Sequence, residues 1–142
     1  MAWTTVNIGG GQNSNPSGTM APGTKTWATT RQMLGQVQMR LTDVTLSSGE
    51  RFRDTPPGSL IRVQLMLANG NPYSSGFVGL PKKWGVTPGW TNVGFVTGPR
   101  RGIRLRTNAD LVKQHANAHG NPNYYGWVEW KAELRWNNVH AQ

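Results

Sequence analysis

Apolar and polar side chains alternate along the last long segment of the sequence, NYYGWVEWKAELRW, Asn123 to Trp136. The even positions carry the apolar set, which comprises Tyr124, Val128, Trp130, Leu134 and Trp136. The odd positions are mostly charged, although they begin with Tyr125 and Trp127. A period of two residues is that of a β-strand, so this segment predicts a long strand with its even face in the core and its odd face mostly in solvent.

Five further segments show the same period or are short apolar runs bounded by Gly or Pro, and in chain order they are 36–46, 60–67, 76–80, 91–97 and 103–107. In the first segment the apolar residues change parity at Asp43, which predicts a β-bulge or bend there. Short antiparallel strands separated by turns are typical of sandwiches and barrels. We therefore predict an all-β protein, an antiparallel β-sandwich arranged as a single jelly roll.

The segment from Gly9 to Gly23, GGGQNSNPSGTMAPG, has no periodicity and little apolar area. We expect residues 1–26 to form an extended N-terminal arm and residues 27–142 to form one sandwich domain. Such an arm is ordered only where another part of the structure supplies its hydrogen-bond partners. It is therefore expected to lie on its own sheet or on a neighbouring subunit, with Val6 and Ile8 making the contacts of a short strand.

One short helix is predicted at residues 109–119, because Asn108 can cap its start and Gly120 follows its end. The apolar face of this segment is thin, so a loop is the alternative.

The formal net charge of +9 indicates an anionic partner such as nucleic acid, an acidic glycan or an acidic protein. The chain has no cysteine, which excludes disulfides, thiolate zinc sites and thiol nucleophiles. No signal-peptide pattern and no long apolar span occur, so we expect a soluble protein made in the cytoplasm, without a membrane span.

Catalytic patterns are missing. His115 and His119 have the i, i+4 spacing of a metalloprotease helix but lack its glutamate, and surface histidines are the preferred interpretation. Glu129 and Glu133 would lie about 13 Å apart on a strand, too far for glycoside hydrolysis. The three consecutive glycines at 9–11 are not followed by the Lys-Ser/Thr of a phosphate-binding loop. We expect no enzyme, no cofactor and no metal.

The strongest charged feature is a cluster of four arginines, Arg100, Arg101, Arg104 and Arg106. Guanidinium groups suit phosphates or an acidic protein surface because they offer a planar fork for bidentate hydrogen bonds. A solvated strand face is the alternative. Nucleic-acid binding would be better supported by aromatic residues interleaved with this strand, but the nearest in sequence are Trp90 and Phe95.

Four tryptophans are candidates for a subunit interface or for stacking on a ligand, namely Trp3, Trp84, Trp90 and Trp127. Tryptophan is enriched at interfaces, and an exposed indole can also stack on a sugar.

These features predict a non-enzymatic structural subunit of a virion, a capsid, vertex, decoration or tail component of a small virus or bacteriophage. It would be made in the host cytoplasm and would assemble with its own copies or other virion proteins through its arm and Trp-rich loops. One alternative is a carbohydrate-binding module or lectin that uses exposed tryptophans. A second is a β-barrel that binds single-stranded nucleic acid.

Overall fold

The computed structural model describes residues 3–14, 23–46, 54–55, 61–80, 82–83, 88–109 and 127–139. Nine β-strands lie within these ranges: β1 (Thr4–Ser14), β2 (Gly23–Thr26), β3 (Arg31–Leu46), β4 (Asp54–Thr55), β5 (Ile61–Leu67), β6 (Val78–Leu80), β7 (Lys82–Lys83), β8 (Thr91–Ala109) and β9 (Trp127–Trp136).

Seven of the strands form one antiparallel sheet. Its hydrogen-bonded order is β1-β9-β3-β8-β5-β6, with β2 also paired to β8, and β4 and β7 form a separate two-residue pair. The prediction of an all-β antiparallel fold is confirmed, and the described residues contain no helix. Of the predicted helix, only residue 109 is described, where it ends β8, and residues 110–119 lie outside the described ranges.

Two strands are long enough to serve two partners each. The 16-residue β3 pairs with β8 through its first half and with β9 through its second. The 19-residue β8 pairs with β3 near its start and with β5 and β2 near its end. A straight strand of 19 residues would span about 63 Å, whereas a compact chain of this length has a radius of gyration of about 14.5 Å. The long strands must therefore bend, which curves the sheet.

Register shifts mark where the strands bend. In β3, Leu41 pairs with Ala132 and Asp43 pairs with Lys131, so Thr42 is the extra residue of a β-bulge. The predicted bulge is confirmed within one residue of the expected place. A larger excursion lies in β8, where the four residues from Thr97 to Arg100 stand opposite Leu34 alone. The strands expected at 91–97 and 103–107 are therefore parts of one strand interrupted by an irregularity.

One face of the curved sheet encloses a single apolar core, which includes Val37, Met39 and Leu41 of β3, Ile61, Val63 and Leu65 of β5, Ile103 and Leu105 of β8, and Trp130, Ala132, Leu134 and Trp136 of β9. The even positions of β9 with described side chains are thus buried, as the alternation predicts. Trp27, which lies just before β3, meets Trp130 edge to face with ring centroids 5.7 Å apart. Its indole Nε1 donates to Thr107 Oγ1 at 2.9 Å.

The N-terminal residues pair within their own chain. β1 runs antiparallel to β9, with Val6 opposite Leu134 and Ile8 opposite Ala132, and both side chains are half-buried against the core. β3 pairs with β8 from Thr91 to Ile103, and β2 pairs with the same edge of β8 from Arg106 to Ala109. Where they are described, residues of the expected arm therefore form part of the sheet.

After β9 the chain turns back across Gly35, which has a φ of +90°. Asn138 N donates to Leu34 O at 3.0 Å, and Asn137 Oδ1 accepts a hydrogen bond from Gln36 N at 2.8 Å. The Asn138 side chain then joins two distant segments, because its Nδ2 donates to Thr4 Oγ1 and its Oδ1 accepts from Arg100 Nη1. This crossing ties the start of β1 to the irregular part of β8.

Candidate functional site

The face of the sheet opposite the core carries two groups of side chains of different character. One lies on β5 and β8 and is rich in arginine. The other lies on β3 and β9, beside the starts of β1 and β8, and combines arginine with indoles and one carboxylate.

The outer arginine cluster consists of Arg62, Arg104 and Arg106. Arg104 and Arg106 alternate along β8 with buried residues, namely Ile103, Leu105 and Thr107. Arg62 lies between buried neighbours on β5, in a register that pairs it with Asn108 and pairs Gln64 with Arg106. Because side chains alternate between the two faces of a sheet, the three arginines lie on the outer face.

An aromatic ring and an amide hold this cluster in place. The chain after β5 returns alongside it, with Tyr73 N donating to Leu65 O at 2.9 Å, and then reaches Phe77. The guanidinium carbons of Arg62 and Arg106 lie 5.6 and 6.0 Å from the centroid of the Phe77 ring. These distances are within the range of cation–π attraction.

Asn108 fixes the direction of one guanidinium. Its Oδ1 accepts a hydrogen bond from Arg62 Nη2, and its Nδ2 donates to Thr24 Oγ1 at 2.7 Å. Strand β2 therefore supports the cluster from the far side of β8.

Arg100 and Arg101 do not join Arg104 and Arg106. Arg101 stands opposite the buried Met33, and its guanidinium carbon lies 5.3 Å from the centroid of the Tyr73 ring, which packs against the core. Arg100 is exposed on the irregular part of β8, where it donates to Asn138. The four arginines that are close in sequence therefore occupy three different environments.

Tyr73 is held by the segment that carries these two arginines. Its hydroxyl lies 3.1 Å from Thr97 Oγ1 and accepts a hydrogen bond from Thr97 N at 3.0 Å. Desolvation raises the pKa of Tyr73, but the hydrogen bonds from Thr97 and the positive charge of Arg101 outweigh it, so the pKa lies below its usual value of 10.0.

The second group is an aromatic–arginine ladder formed by Trp3, Arg135, Trp90 and Arg40. The Arg135 guanidinium carbon lies 4.0 Å from the ring centroid of Trp3 and 4.2 Å from that of Trp90. The Arg40 guanidinium carbon lies 4.3 Å from the same Trp90 ring. The ladder thus joins Trp3, which precedes β1, and Trp90, which precedes β8, to Arg40 of β3 and Arg135 of β9.

Polar contacts complete the ladder. Arg40 Nη2 and Glu133 Oε1 form an ion pair at 2.9 Å, with both side chains about one-quarter exposed. Arg135 Nε donates to Gln38 Oε1 at 2.9 Å. Desolvation, followed by the positive charge of Arg40, lowers the pKa of Arg135, which still remains protonated at neutral pH. Both arginines of the ladder therefore already have polar partners within the protein.

The structure brings Trp3 and Trp90 together through Arg135, which the sequence analysis did not predict. Contact with guanidinium groups occupies part of the Trp90 ring that a sugar would need for stacking. The Trp84 residue and the Trp127 side chain lie outside the described part of the chain, so their roles stay predictions.

Sequence reasoning missed Arg62 and Phe77. Arg62 is 38 residues before Arg100 in the sequence, and only the pairing of β5 with β8 brings it to Arg106. Trp90 and Phe95 are the aromatic residues nearest to the basic strand in sequence, but in the structure Phe77 and Tyr73 contact its arginines. The alternation in β5, with Arg62 between two apolar residues, was the available signal for an outward-facing arginine.

His115 and His119 lie outside the described residues. Within the described ranges, no three His, Cys, Asp or Glu side chains come together as metal ligands. The same ranges contain no helix that is long and apolar enough to cross a membrane.

Comparison with known proteins finds no matching family model, no similar curated protein and no similar solved structure.

Proposed function

We propose that this chain is a non-enzymatic structural subunit of a virion, a capsid, vertex, decoration or tail component, whose copies join through the edge of β1 that faces away from β9. One observation carries the proposal. The 11-residue β1 is hydrogen-bonded to β9 along one edge, and no described strand pairs with its other edge.

A free strand edge presents unpaired backbone N–H and C=O groups that can pair with a strand of another chain. β1 is the longest such edge among the described strands, because β6 at the opposite end of the sheet has only three residues. Its described outward side chains include Thr5 and Asn7, which are exposed and carry no charge that would repel a second copy.

The edge is also held in a defined position. Trp3 stacks on Arg135, and Thr4 accepts a hydrogen bond from Asn138. A strand that is already ordered loses less conformational entropy when a partner pairs with it, which favours association. The arm was expected to add its strand to a neighbour, and in the present proposal β1 stays on its own sheet and receives a neighbour's strand.

A virion subunit must associate with other copies and tolerate a nearby polyanionic genome, and a net charge of +9 fits the second requirement. The assignment to a virion rests on this combination and on fold-level analogy with all-β shell proteins. The single jelly-roll sandwich belongs to this proposal as the expected arrangement of the whole chain.

The experiment measures the mass of the purified chain by sedimentation velocity and examines its particles by electron microscopy, across protein concentration and salt. The variant Thr5→Lys/Asn7→Lys places two charges on the edge, and Ala28→Lys/Thr29→Lys adds the same charge at exposed positions before β3. Wild type and the control should form oligomers, and the edge variant should stay monomeric. A wild-type chain that is monomeric under all these conditions, or an edge variant that assembles as the control does, would refute the proposal.

A further inference from the structure

Basic charge is segregated in this chain. Residues 55–109 contain no Asp or Glu, and their seven basic residues are Arg62, Lys82, Lys83, Arg100, Arg101, Arg104 and Arg106. Three of these meet in the outer arginine cluster. The ion pair between Arg40 and Glu133 lies on the other half of the outer face, and the described residues place no carboxylate within ion-pair distance of the cluster.

The cluster has more hydrogen-bond donors than acceptors. A guanidinium carries five N–H donors and no acceptor. The Nε atoms of Arg62, Arg104 and Arg106 are buried without a hydrogen-bond partner. Arg62 donates to Asn108, whereas none of the hydrogen bonds between described residues involves the side chain of Arg104 or Arg106. The half-buried guanidinium groups of Arg104 and Arg106 therefore keep donors that no described side chain accepts from, so the cluster is suited to a ligand that brings both acceptors and negative charge.

The arginines are also positioned before a ligand arrives. Arg104 and Arg106 are two residues apart on one strand, which places their Cα atoms about 6.7 Å apart on the same face. Arg62 is oriented by Asn108 and packs against the Phe77 ring together with Arg106. A pre-ordered group loses less entropy on binding than a free surface side chain.

We propose that the outer arginine cluster binds the phosphate backbone of nucleic acid. Phosphate oxygens accept bidentate hydrogen bonds from guanidinium groups and supply the missing negative charge. The make-up of the cluster favours this partner over an acidic protein. The core of a protein–protein interface is depleted in charged residues, whereas nucleic-acid interfaces are polar and strongly positive. Here two of the three arginines, Arg62 and Arg106, lie over one half-buried phenylalanine.

This binding goes beyond assembly through β1, because a chain that remains monomeric still carries the complete cluster. A loss of nucleic-acid binding and a loss of oligomers are therefore separate results. The loss of nucleic-acid binding tests the cluster on β5 and β8, and the loss of oligomers tests the edge of β1.

The experiment measures the fluorescence anisotropy of a labelled single-stranded oligonucleotide at increasing NaCl concentrations. The variant Arg104→Gln/Arg106→Gln removes two positive charges from the cluster. The single substitution Lys131→Glu lowers the net charge by the same two units at an exposed site on β9, and serves as the matched control. Circular dichroism verifies that each variant keeps its strands.

Each phosphate contact on a single strand contributes about 0.7 to the slope of log affinity against log salt. The double variant should therefore lose about 1.4 units of slope, so that over a four-fold rise in salt wild-type affinity falls about seven-fold more than that of the variant. The Lys131→Glu control should keep a slope close to wild type. Equal slopes for the two variants would overturn the proposal, since the attraction would then depend on net charge alone.

Two further measurements test the chemistry of the ligand. Arg104→Lys/Arg106→Lys keeps the charge but not the planar fork, so it should bind more weakly than wild type with a similar salt slope. Inorganic polyphosphate should displace the oligonucleotide, and poly-glutamate of equal charge should not. Equal displacement by poly-glutamate would assign the cluster to an acidic protein and overturn the nucleic-acid proposal.

Discussion

Replacing Gly35 with alanine should destabilise the fold by about 2–5 kcal/mol, because the added methyl group has no room. A Cβ atom on Gly35 would lie 2.1 Å from Asn137 Oδ1 and 2.7 Å from Val139 N. The Asn137 oxygen cannot move away freely, since it accepts hydrogen bonds from Gln36 N and Val139 N. The positive φ costs a residue with a side chain about 1–2 kcal/mol, and losing these two hydrogen bonds costs about 0.5–1.5 kcal/mol each.

Gly70→Ala is the matched control. Gly70 has the same φ of +90°, but no atom lies within 4 Å of its added Cβ. Gly70→Ala should lower the free energy of unfolding only by the cost of the positive φ, about 1–2 kcal/mol. The two variants should therefore differ by about 1–3 kcal/mol in their free energy of unfolding, and this difference measures how much the close contact between Gly35 and the segment after β9 contributes.

Urea denaturation followed by tryptophan fluorescence gives both free energies of unfolding. At about 4 °C per kcal/mol for a chain of this size, Gly35→Ala should melt about 8–20 °C below wild type. If the two variants agree within about 0.5 kcal/mol, the crossing does not constrain Gly35 and the steric argument is wrong. Asn138 connects this crossing to Thr4, so the amides of β1 should also exchange faster in Gly35→Ala than in Gly70→Ala.

Three further results are expected. A double-mutant cycle of Arg40→Met and Glu133→Gln should give a coupling of about 0.5 kcal/mol that shrinks with salt, because the pair is partly exposed; a coupling above about 2 kcal/mol would contradict this. Trp27→Phe should cost about 1.5–3 kcal/mol in urea denaturation, since it removes the donor to Thr107 and reduces aromatic contact; a neutral result would exclude that role. The Tyr73 hydroxyl should titrate below its usual pKa of 10.0, as the absorbance difference between wild type and Tyr73→Phe will show. Because its pKa is lowered on folding, stability should rise as pH increases from the folded to the unfolded pKa of this group; a midpoint above 10.0 would refute the assignment of its hydrogen bonds.

The local pattern of the sequence was sufficient for the strands that carry most of the core and for their faces, whereas β2, β4, β7 and the second half of β1 were not predicted. The alternation in β9 correctly assigned Trp130 and Leu134 to the core, and the parity change near Asp43 located the bulge in β3. Both are short-range properties, because the side-chain period of a strand depends only on backbone geometry.

The candidate site was only partly predictable. Arg104 and Arg106 were correctly placed on one strand face, whereas the structure places Arg100 against Asn138 and Arg101 against Tyr73. Arg100 lies in the irregular part of β8, whereas Arg101 follows it and pairs with the buried Met33. Gly98 and Pro99 indicate a break in the strand, but not that four residues there stand opposite one residue of β3. The proximity of Arg62 depends on strand order, which alternation does not encode.

By itself, the sequence determined that this is a basic chain of alternating strands with one apolar face, because periodicity and charge are properties of neighbouring residues. The tertiary structure alone decided which strands became partners, and through them brought Arg62 to Arg106 and placed Arg135 between Trp3 and Trp90. Strand pairing joins residues far apart in the chain, and many pairings satisfy the same alternation, so the register emerges only when the whole core is packed.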